Sequence, residues 1–258
     1  MSTHLTRRVV QLYVGLALYG VSSGLLVRAG LGLEPWGVLH QGLAKHTGLS
    51  IGVVSIIVGA AVLLLWIPLR QRPGLGTVSN VFAIGVFMDG TLAVVPDVHG
   101  LLARVPLTAA AIVCNGVATG LYISARFGPG PRDGLMTGLH RVTGRSIRLV
   151  RTSLEVVVVA TGFLLGGSLG VGTVLYALAI GPLAQFFLRV FAIPGTTPAS
   201  PPVSAQAQAP APAPAPAQTP AQDPIPGPVR NPSPAPTPAS TGHPAVAPAS
   251  PDRAILPR

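Results

Sequence analysis

Asp89 is the ionisable residue whose position in the sequence most strongly indicates chemistry. It lies within the apolar run VFAIGVFMDGTLAVV, where a carboxyl group is costly unless it faces a cavity or a polar partner. Gln185 has the matching place in another apolar run, 96 residues further along. The two side chains predict a polar lining for a solute path, with Asp89 as the candidate coupling group. The alternative is a structural hydrogen bond between helices.

A second kind of chemistry is indicated where glycine and proline interrupt the apolar pattern in FGPGPRDGLMTGLH. Gly128 ends one run, and Pro131 suits the first turn of a short helix over 131–142. The free N–H groups and the dipole of such a helix favour an anion, and Arg132 adds positive charge beside Asp133. The segment therefore predicts an anion site. The alternative is a helix lying flat at a membrane interface, with Arg132 and Asp133 solvated or paired.

A matching interruption precedes a second short helix, over 35–46. Gly32 and Pro35 repeat the pattern of glycine followed by proline, and Trp36 follows directly. Breaks at matched places in two halves of a chain indicate a transporter's binding site. Trp36 is then either a ligand platform or an aromatic anchor at the interface.

Two further sets of polar residues lie within apolar runs. Asn115 is a candidate for polar lining, with hydrogen bonding between helices as the alternative. Glu155 follows Arg151 by four residues, which predicts an ion pair on one helix face.

Several classes of function are excluded. The chain has one cysteine, Cys114, and its six histidines show no metal-ligand spacing, so no metal site and no cofactor are predicted. No Ser-His or paired-Asp constellation lies in the apolar runs, and no Walker motif is present, so an enzyme is not expected. The net charge of +10 comes without interleaved aromatics, which argues against nucleic-acid binding.

The elements that position these residues are predicted to be membrane-spanning helices. Only 9% of the residues are charged and the mean hydropathy is +0.58, far from the composition of soluble domains. Runs of about 20 apolar residues fit a hydrocarbon core. The clearest run ends in Trp66 beside Arg70 and Arg72, which predicts an interfacial aromatic. Six spans are predicted, over 9–27, 50–69, 76–96, 104–124, 147–168 and 172–193.

The last part of the chain has a different composition. Residues 196–258 hold 19 of the 28 prolines and almost no large apolar side chains. Alternating alanine and proline favours extended conformations that bury little surface. This segment is predicted to be a disordered cytoplasmic tail.

An internal repeat organises everything before the tail. Offsetting the sequence by 96 residues aligns GVSSGLLVRAGLGLEPWG with GVATGLYISARFGPGPRD, and about a third of residues 20–92 match 116–188. Matched glycines and prolines indicate a duplication. Repeat 1 covers 1–100 and repeat 2 covers 101–195, and each has three spans with a short helix after the first.

The charges predict how the two repeats are oriented. Three spans per repeat invert the second repeat relative to the first. With six spans, eleven Lys and Arg residues fall on the side of both termini and three (Arg28, Lys45 and Arg104) on the other. Because cytoplasmic loops are rich in Lys and Arg, both termini are predicted to be cytoplasmic in a bacterial inner membrane.

These segments resemble the YczE-like, YitT-related family of bacterial membrane proteins. The resemblance covers residues 8–192 and is most specific in GPRDGLM and in the T-G-x-S-I that follows. It implies an inner-membrane, multi-spanning protein whose activity is largely unassigned.

Two functions remain open at this stage. The first is a secondary-type permease for a small solute, anionic or amino-acid-like. The second is a membrane scaffold or regulatory factor that acts through a protein partner bound by the tail or by the Arg-rich 141–151 face. The lipid bilayer is the predicted partner in both, and the oligomeric state is open between a monomer and a homo-oligomer.

Overall fold

Residues 2–192 are described by the computed structural model, and they form eight α-helices without any strand. The predicted tail, 196–258, lies outside these described residues. The helices are α1 Ser2–Ala29, α2 Pro35–Thr47, α3 Ile51–Trp66, α4 Leu75–Val94, α5 Leu101–Ser124, α6 Pro131–Thr143, α7 Ile147–Leu164 and α8 Val171–Val190. The all-α prediction and both short helices are confirmed. Offsetting the chain by 96 residues maps α1–α4 onto α5–α8.

Equivalent helices begin and end with the same local chemistry. The short helices α2 and α6 each start with proline and stop at a left-handed glycine, Gly48 and Gly144. Ser50 and Ser146 then cap α3 and α7 by accepting from the backbone N–H of the third helical residue. Each cap satisfies a donor that the first turn of a helix leaves without a partner. The repeat in the sequence therefore sets the boundaries of the helices.

Glycines bring the first and last helix of each repeat into close contact. A Cβ atom built on Gly20 or Gly24 of α1 would lie within 2.8 Å of a side-chain carbon on α4. In repeat 2, Gly116 and Gly120 of α5 face α8 with the same closeness. Small residues at these positions let helix backbones approach, as in membrane helix pairs.

Helices α1 and α5 lie against each other and run antiparallel. Arg8, near the start of α1, donates from Nε to the carbonyl of Ala125 just after the end of α5, at 2.9 Å. Arg104, near the start of α5, donates from Nε to the carbonyl of Ala29 at the end of α1, at 2.5 Å. Arg104 lies 96 residues after Arg8, and Ala125 lies 96 residues after Ala29, so the two contacts are equivalent. The contact between the repeats is thus nearly symmetric.

Each short helix packs against a helix of the opposite repeat. Helix α2 of repeat 1 packs on α7 of repeat 2, and α6 of repeat 2 packs on α3 of repeat 1. Trp66 of α3 is only 2% exposed, and its Nε1 donates to the carbonyl of Pro131 at 3.1 Å. A Cβ on Gly134 would lie 2.0 Å from its ring. The prediction of Trp66 as an interfacial aromatic is therefore wrong, because the ring fills the gap above a glycine of α6.

Four of the described helices are long and apolar enough to cross a membrane: α1, α4, α5 and α8. A fifth crossing results if α2 and α3, which meet at 112°, are one broken span. The 16 residues of α3 extend about 24 Å at 1.5 Å per residue, and α7 carries three charged residues. The number of six spans therefore stays a prediction. Large apolar side chains such as Leu64, Leu102 and Leu178 are 66–94% exposed, as lipid contact requires.

Candidate functional site

A cavity of about 110 Å³ lies where the two repeats meet. Every described helix except α3 contributes to its wall. The polar and aromatic residues that line it are Tyr19, Glu34, Trp36, Asn80, Thr119, Tyr122, Arg132, Asp133, Arg151, Glu155 and Tyr176. A smaller cavity of about 30 Å³ adjoins it and shares Trp36, Asn80, Ile84, Pro131 and Arg132. Concave, largely apolar pockets with a few convergent polar groups are the usual form of small-molecule sites.

The segments between α1 and α2 and between α5 and α6, here called the breaks, position the short helices at this cavity. The carbonyl of Phe127, before the α6 break, accepts from the backbone N–H of Gly76 at 2.8 Å, and Leu31 makes the equivalent bond to Gly172 at 2.8 Å. Each break is thereby held to the first turn of the last helix in the other repeat. The N-terminal residues of α2 and α6 consequently line one cavity.

Gly128 and Gly32 make these attachments sterically feasible. Their φ angles are +120° and +126°, a region that side chains rarely adopt. A Cβ on Gly128 would lie 2.7 Å from Oγ1 of Thr77, and one on Gly32 would lie 2.6 Å from Oγ1 of Thr173. Thr77 also donates to the carbonyl of Pro129 at 2.7 Å. The two predicted glycines position the site without lining it.

The starts of both short helices have no side-chain caps. Neither Glu34 nor Gly130, the residues at the two N-cap positions, makes a capping hydrogen bond. Because Pro35 and Pro131 have no N–H, the first donors come from the residues after them. The first residues of both short helices line the cavity, so it lies at the positive ends of two helix dipoles.

Arg132 and Trp36 meet at the cavity although they belong to different repeats. The guanidinium carbon lies 4.9 Å from the centre of the indole ring, within the range of a cation–π interaction. Trp36 is 6% exposed, and its Nε1 is buried without a hydrogen-bond partner. The ring is therefore covered by Arg132 and the surrounding helices, and its role as a ligand platform or an interfacial anchor stays a prediction.

Glu34 is a cavity-lining residue that the sequence analysis missed. It is 4% exposed. Its Oε1 accepts from Ser23 Oγ at 3.2 Å, whereas Oε2 is buried without a partner. A Cβ atom at position 37 would lie 2.9 Å from Cδ of Glu34. Glycine at this position, Gly37, therefore leaves room for the carboxyl group. Its place directly before Pro35, at a matched break, was the signal that could have identified it.

Three tyrosines complete the polar wall, namely Tyr19, Tyr122 and Tyr176. Tyr122 donates to Asp133 Oδ2 at 3.4 Å. Tyr176 donates to Asn115 Oδ1 at 3.0 Å, and Asn115 Nδ2 in turn donates to Ser22 at 2.8 Å. Asn115 is fully buried behind the wall and orients Tyr176 instead of lining the cavity itself.

An ion pair closes one side of the cavity. Arg151, which is 5% exposed, donates from Nε to Glu155 Oε1 at 2.9 Å and holds the same oxygen with a second nitrogen at 2.8 Å. The predicted pairing of these residues is confirmed. Both residues belong to α7, and removing one member of a largely buried pair leaves an uncompensated charge in this part of the wall.

Asp89 and Gln185 lie outside the cavity. The carboxylate of Asp89 accepts from Ser50 Oγ at 2.5 Å and from the backbone N–H of Gly52 at 2.8 Å. Asp89 therefore binds the N-terminus of α3, where a negative charge is favourable. These contacts match its structural alternative. Gln185 is half-buried in α8 and does not line the cavity.

Long apolar helices with lipid-compatible exteriors around a cavity between the repeats define an α-helical membrane protein. Residues 6–189 match a family of unknown function, DUF6198, and the chain belongs to that family.

Three relatives agree with this assignment. The chain is 43% identical to an uncharacterized protein of Haemophilus influenzae over 70% of this chain and 83% of that protein. It is 32% identical to the uncharacterized membrane protein YczE of Bacillus subtilis over 73% of this chain and 88% of that protein. It is 25% identical to the uncharacterized protein YyaS of Bacillus subtilis over 69% of this chain and 90% of that protein. The YczE-like resemblance is confirmed, and no solved structure matches the chain.

Proposed function

We propose that the protein is a secondary-type permease that binds a small solute with an anionic group in the cavity between its repeats. The observation that carries the proposal is the meeting of two uncapped helix N-termini, Trp36 and Arg132 at one cavity. Helix N-termini bind anions through their N–H groups and dipole. Broken helices that meet between repeats are the usual site of secondary transporters.

The proposal includes an inverted arrangement of two three-span repeats, with both termini cytoplasmic in a bacterial inner membrane. The antiparallel contact of α1 with α5 supports the inversion, since equivalent helices that cross a membrane in opposite directions belong to inverted units. The charge distribution of the loops supports the orientation. Alternating access then requires only that one repeat moves against the other around the cavity.

The wall of the larger cavity suits solute binding and lacks the usual groups of acyl transfer. Its lining residues include no serine, cysteine or histidine, the usual nucleophiles and bases of acyl transfer. Solute binding requires only what the cavity offers, which is charge, hydrogen-bond donors and aromatic surface. Asp89 has no part in the proposed site.

The proposal is tested by a thermal-shift screen of the purified full-length protein against small metabolites. We expect an anionic metabolite to raise the unfolding temperature of the wild type and not that of Arg132→Gln. The same compound should then exchange across proteoliposome membranes by counterflow. A compound that binds but shows no counterflow would favour the scaffold or regulatory function, and a screen in which no anion depends on Arg132 would refute the site.

A further inference from the structure

We propose that the solute is a small zwitterion, of the amino-acid type, and that Glu34 binds its ammonium group. This inference rests on the proposed function, because it assigns the second end of a ligand whose anionic end binds Arg132 and the start of α6. The chemical class of the substrate follows from three independent features of the cavity.

The first feature is a pair of buried polar atoms without partners. Glu34 Oε2 is an acceptor that receives no hydrogen bond, and Trp36 Nε1 is a donor that makes none. Both side chains are more than nine-tenths buried and both line the cavity. Because buried polar groups are nearly always hydrogen-bonded, the two atoms call for a ligand that offers both an acceptor and a donor. A simple anion satisfies only Trp36.

The second feature is the balance of charge around the cavity. Three carboxylates and two guanidinium groups line it: Glu34, Asp133, Glu155, Arg132 and Arg151. Arg151 and Glu155 neutralise each other, and Tyr122 donates to Asp133. The carboxyl groups outnumber the guanidinium groups by one, so a purely anionic solute meets more acidic than basic groups in the wall. A zwitterion brings a positive charge to Glu34 and no net charge to the site.

The third feature is the aromatic character of the wall. Tyr19, Tyr122, Tyr176 and Trp36 all line the cavity. Aromatic rings attract ammonium groups through their negative faces, and more strongly where water is excluded. The volume of about 110 Å³ limits the ligand to a small molecule, such as an amino acid with a short side chain.

The test compares two probes that differ only in the ammonium group: L-alanine and propionate. Full-length protein in lipid nanodiscs is titrated with each, and binding is followed through Trp fluorescence, because Trp36 lines the cavity. We expect the wild type to bind alanine at least tenfold more tightly than propionate. Glu34→Gln keeps the shape of the side chain and should remove that preference, with alanine weakened to the level of propionate. Asp89→Asn, a carboxylate outside the cavity, should keep the full preference.

The outcomes separate this inference from the proposed function. Equal binding of alanine and propionate by the wild type overturns the zwitterion and leaves the anion site standing. Propionate binding that tightens as pH falls, and loses this dependence in Glu34→Gln, would show a proton on Glu34 in place of an ammonium group and would also overturn it. Failure of the wild type to bind either probe overturns the small zwitterion, whereas the anion site is decided by the metabolite screen and its dependence on Arg132.

A second variant keeps the test decisive if Glu34→Gln does not fold. Gly37→Ala retains the charge but displaces the carboxyl group, because the added Cβ would lie 2.9 Å from Glu34 Cδ and Oε2. We expect it to weaken alanine by more than propionate. An equal loss for the two probes would contradict a direct contact between Glu34 and the ammonium group.

Discussion

Replacing Asp89 by alanine separates the function predicted from the sequence from the role that the structure gives this residue. The carboxylate accepts hydrogen bonds from Ser50 Oγ at 2.5 Å and from the Gly52 N–H at 2.8 Å, both at the start of α3. Losing a helix N-terminal cap costs about 0.5–2 kcal/mol, and a hydrogen bond to a charged group contributes about 1.5–3 kcal/mol when buried. Since Asp89 is half-buried, we expect a loss of about 1–2 kcal/mol.

The magnitude is measurable by thermal unfolding. For a chain of about 150–250 residues, 1 kcal/mol corresponds to about 2–4 °C in Tm, so Asp89→Ala should lower Tm by about 2–8 °C. Cys114 is the one cysteine of the chain and is partly buried in α5, which makes it a natural reporter for a thiol-reactive dye. Asp97→Ala is the matched control, because its ion pair with Arg28 is exposed at the carboxylate and surface pairs contribute about 0–1 kcal/mol.

Ligand affinity decides between the two interpretations of Asp89. The structure places it outside the cavity, so Asp89→Ala should bind a cavity ligand as tightly as the wild type at temperatures where both are folded. A normal Tm together with loss of binding or of counterflow would refute the reasoning and restore Asp89 as a coupling group.

The other predictions concern packing, backbone conformation and the buried ion pair. Gly134→Ala should destabilise the protein by about 1–3 kcal/mol through overpacking, since the added Cβ would lie 2.0 Å from the Trp66 ring. Gly90→Ala is the control, because open space surrounds this residue, and it should be neutral or stabilising. Equal Tm values for the two variants would contradict the contact with Trp66. Gly128→Ala should cost about 1–2 kcal/mol from its positive φ alone. It should also weaken ligand binding, because the segment between α5 and α6 positions α6 at the cavity. Unchanged binding and an unchanged Tm would show that this segment is not held as described. Arg151→Gln should lower Tm more than the double variant Arg151→Gln with Glu155→Gln, because the single change leaves a carboxylate without its partner; additive losses would indicate that the two side chains do not interact.

Much of the fold could be predicted from the sequence because its signals are local or repeated. Proline at the start and glycine at the end of both short helices fix their bounds within about one residue of the predicted ranges. The offset of 96 residues also anticipates the matched caps and the matched glycine contacts. Apolar length alone did not settle how α3 and α7 relate to the membrane, because one is short and the other carries charges.

The site was predictable only in part, because it depends on contacts between the repeats. The breaks at Pro35 and Pro131 and the charge of Arg132 are visible in the sequence, and all three line the cavity. Glu34 was missed because its repeat equivalent is Gly130, so comparison of the repeats gave it no support. Asp89 and Gln185 were selected for their depth along a span, and depth carries no information about which side of a helix faces the cavity.

The measurement that tests the central claim most directly is the sidedness of two equivalent residues. Leu49→Cys and Arg145→Cys place single thiols at exposed positions just after α2 and α6, in a Cys114→Ala background. Intact bacterial cells expressing each variant are labelled with a membrane-impermeant maleimide before and after permeabilisation. The inverted arrangement predicts that Leu49→Cys is labelled in intact cells and Arg145→Cys only after permeabilisation. Labelling of both residues from the same side would contradict it, and with it a cavity shared by two oppositely oriented repeats.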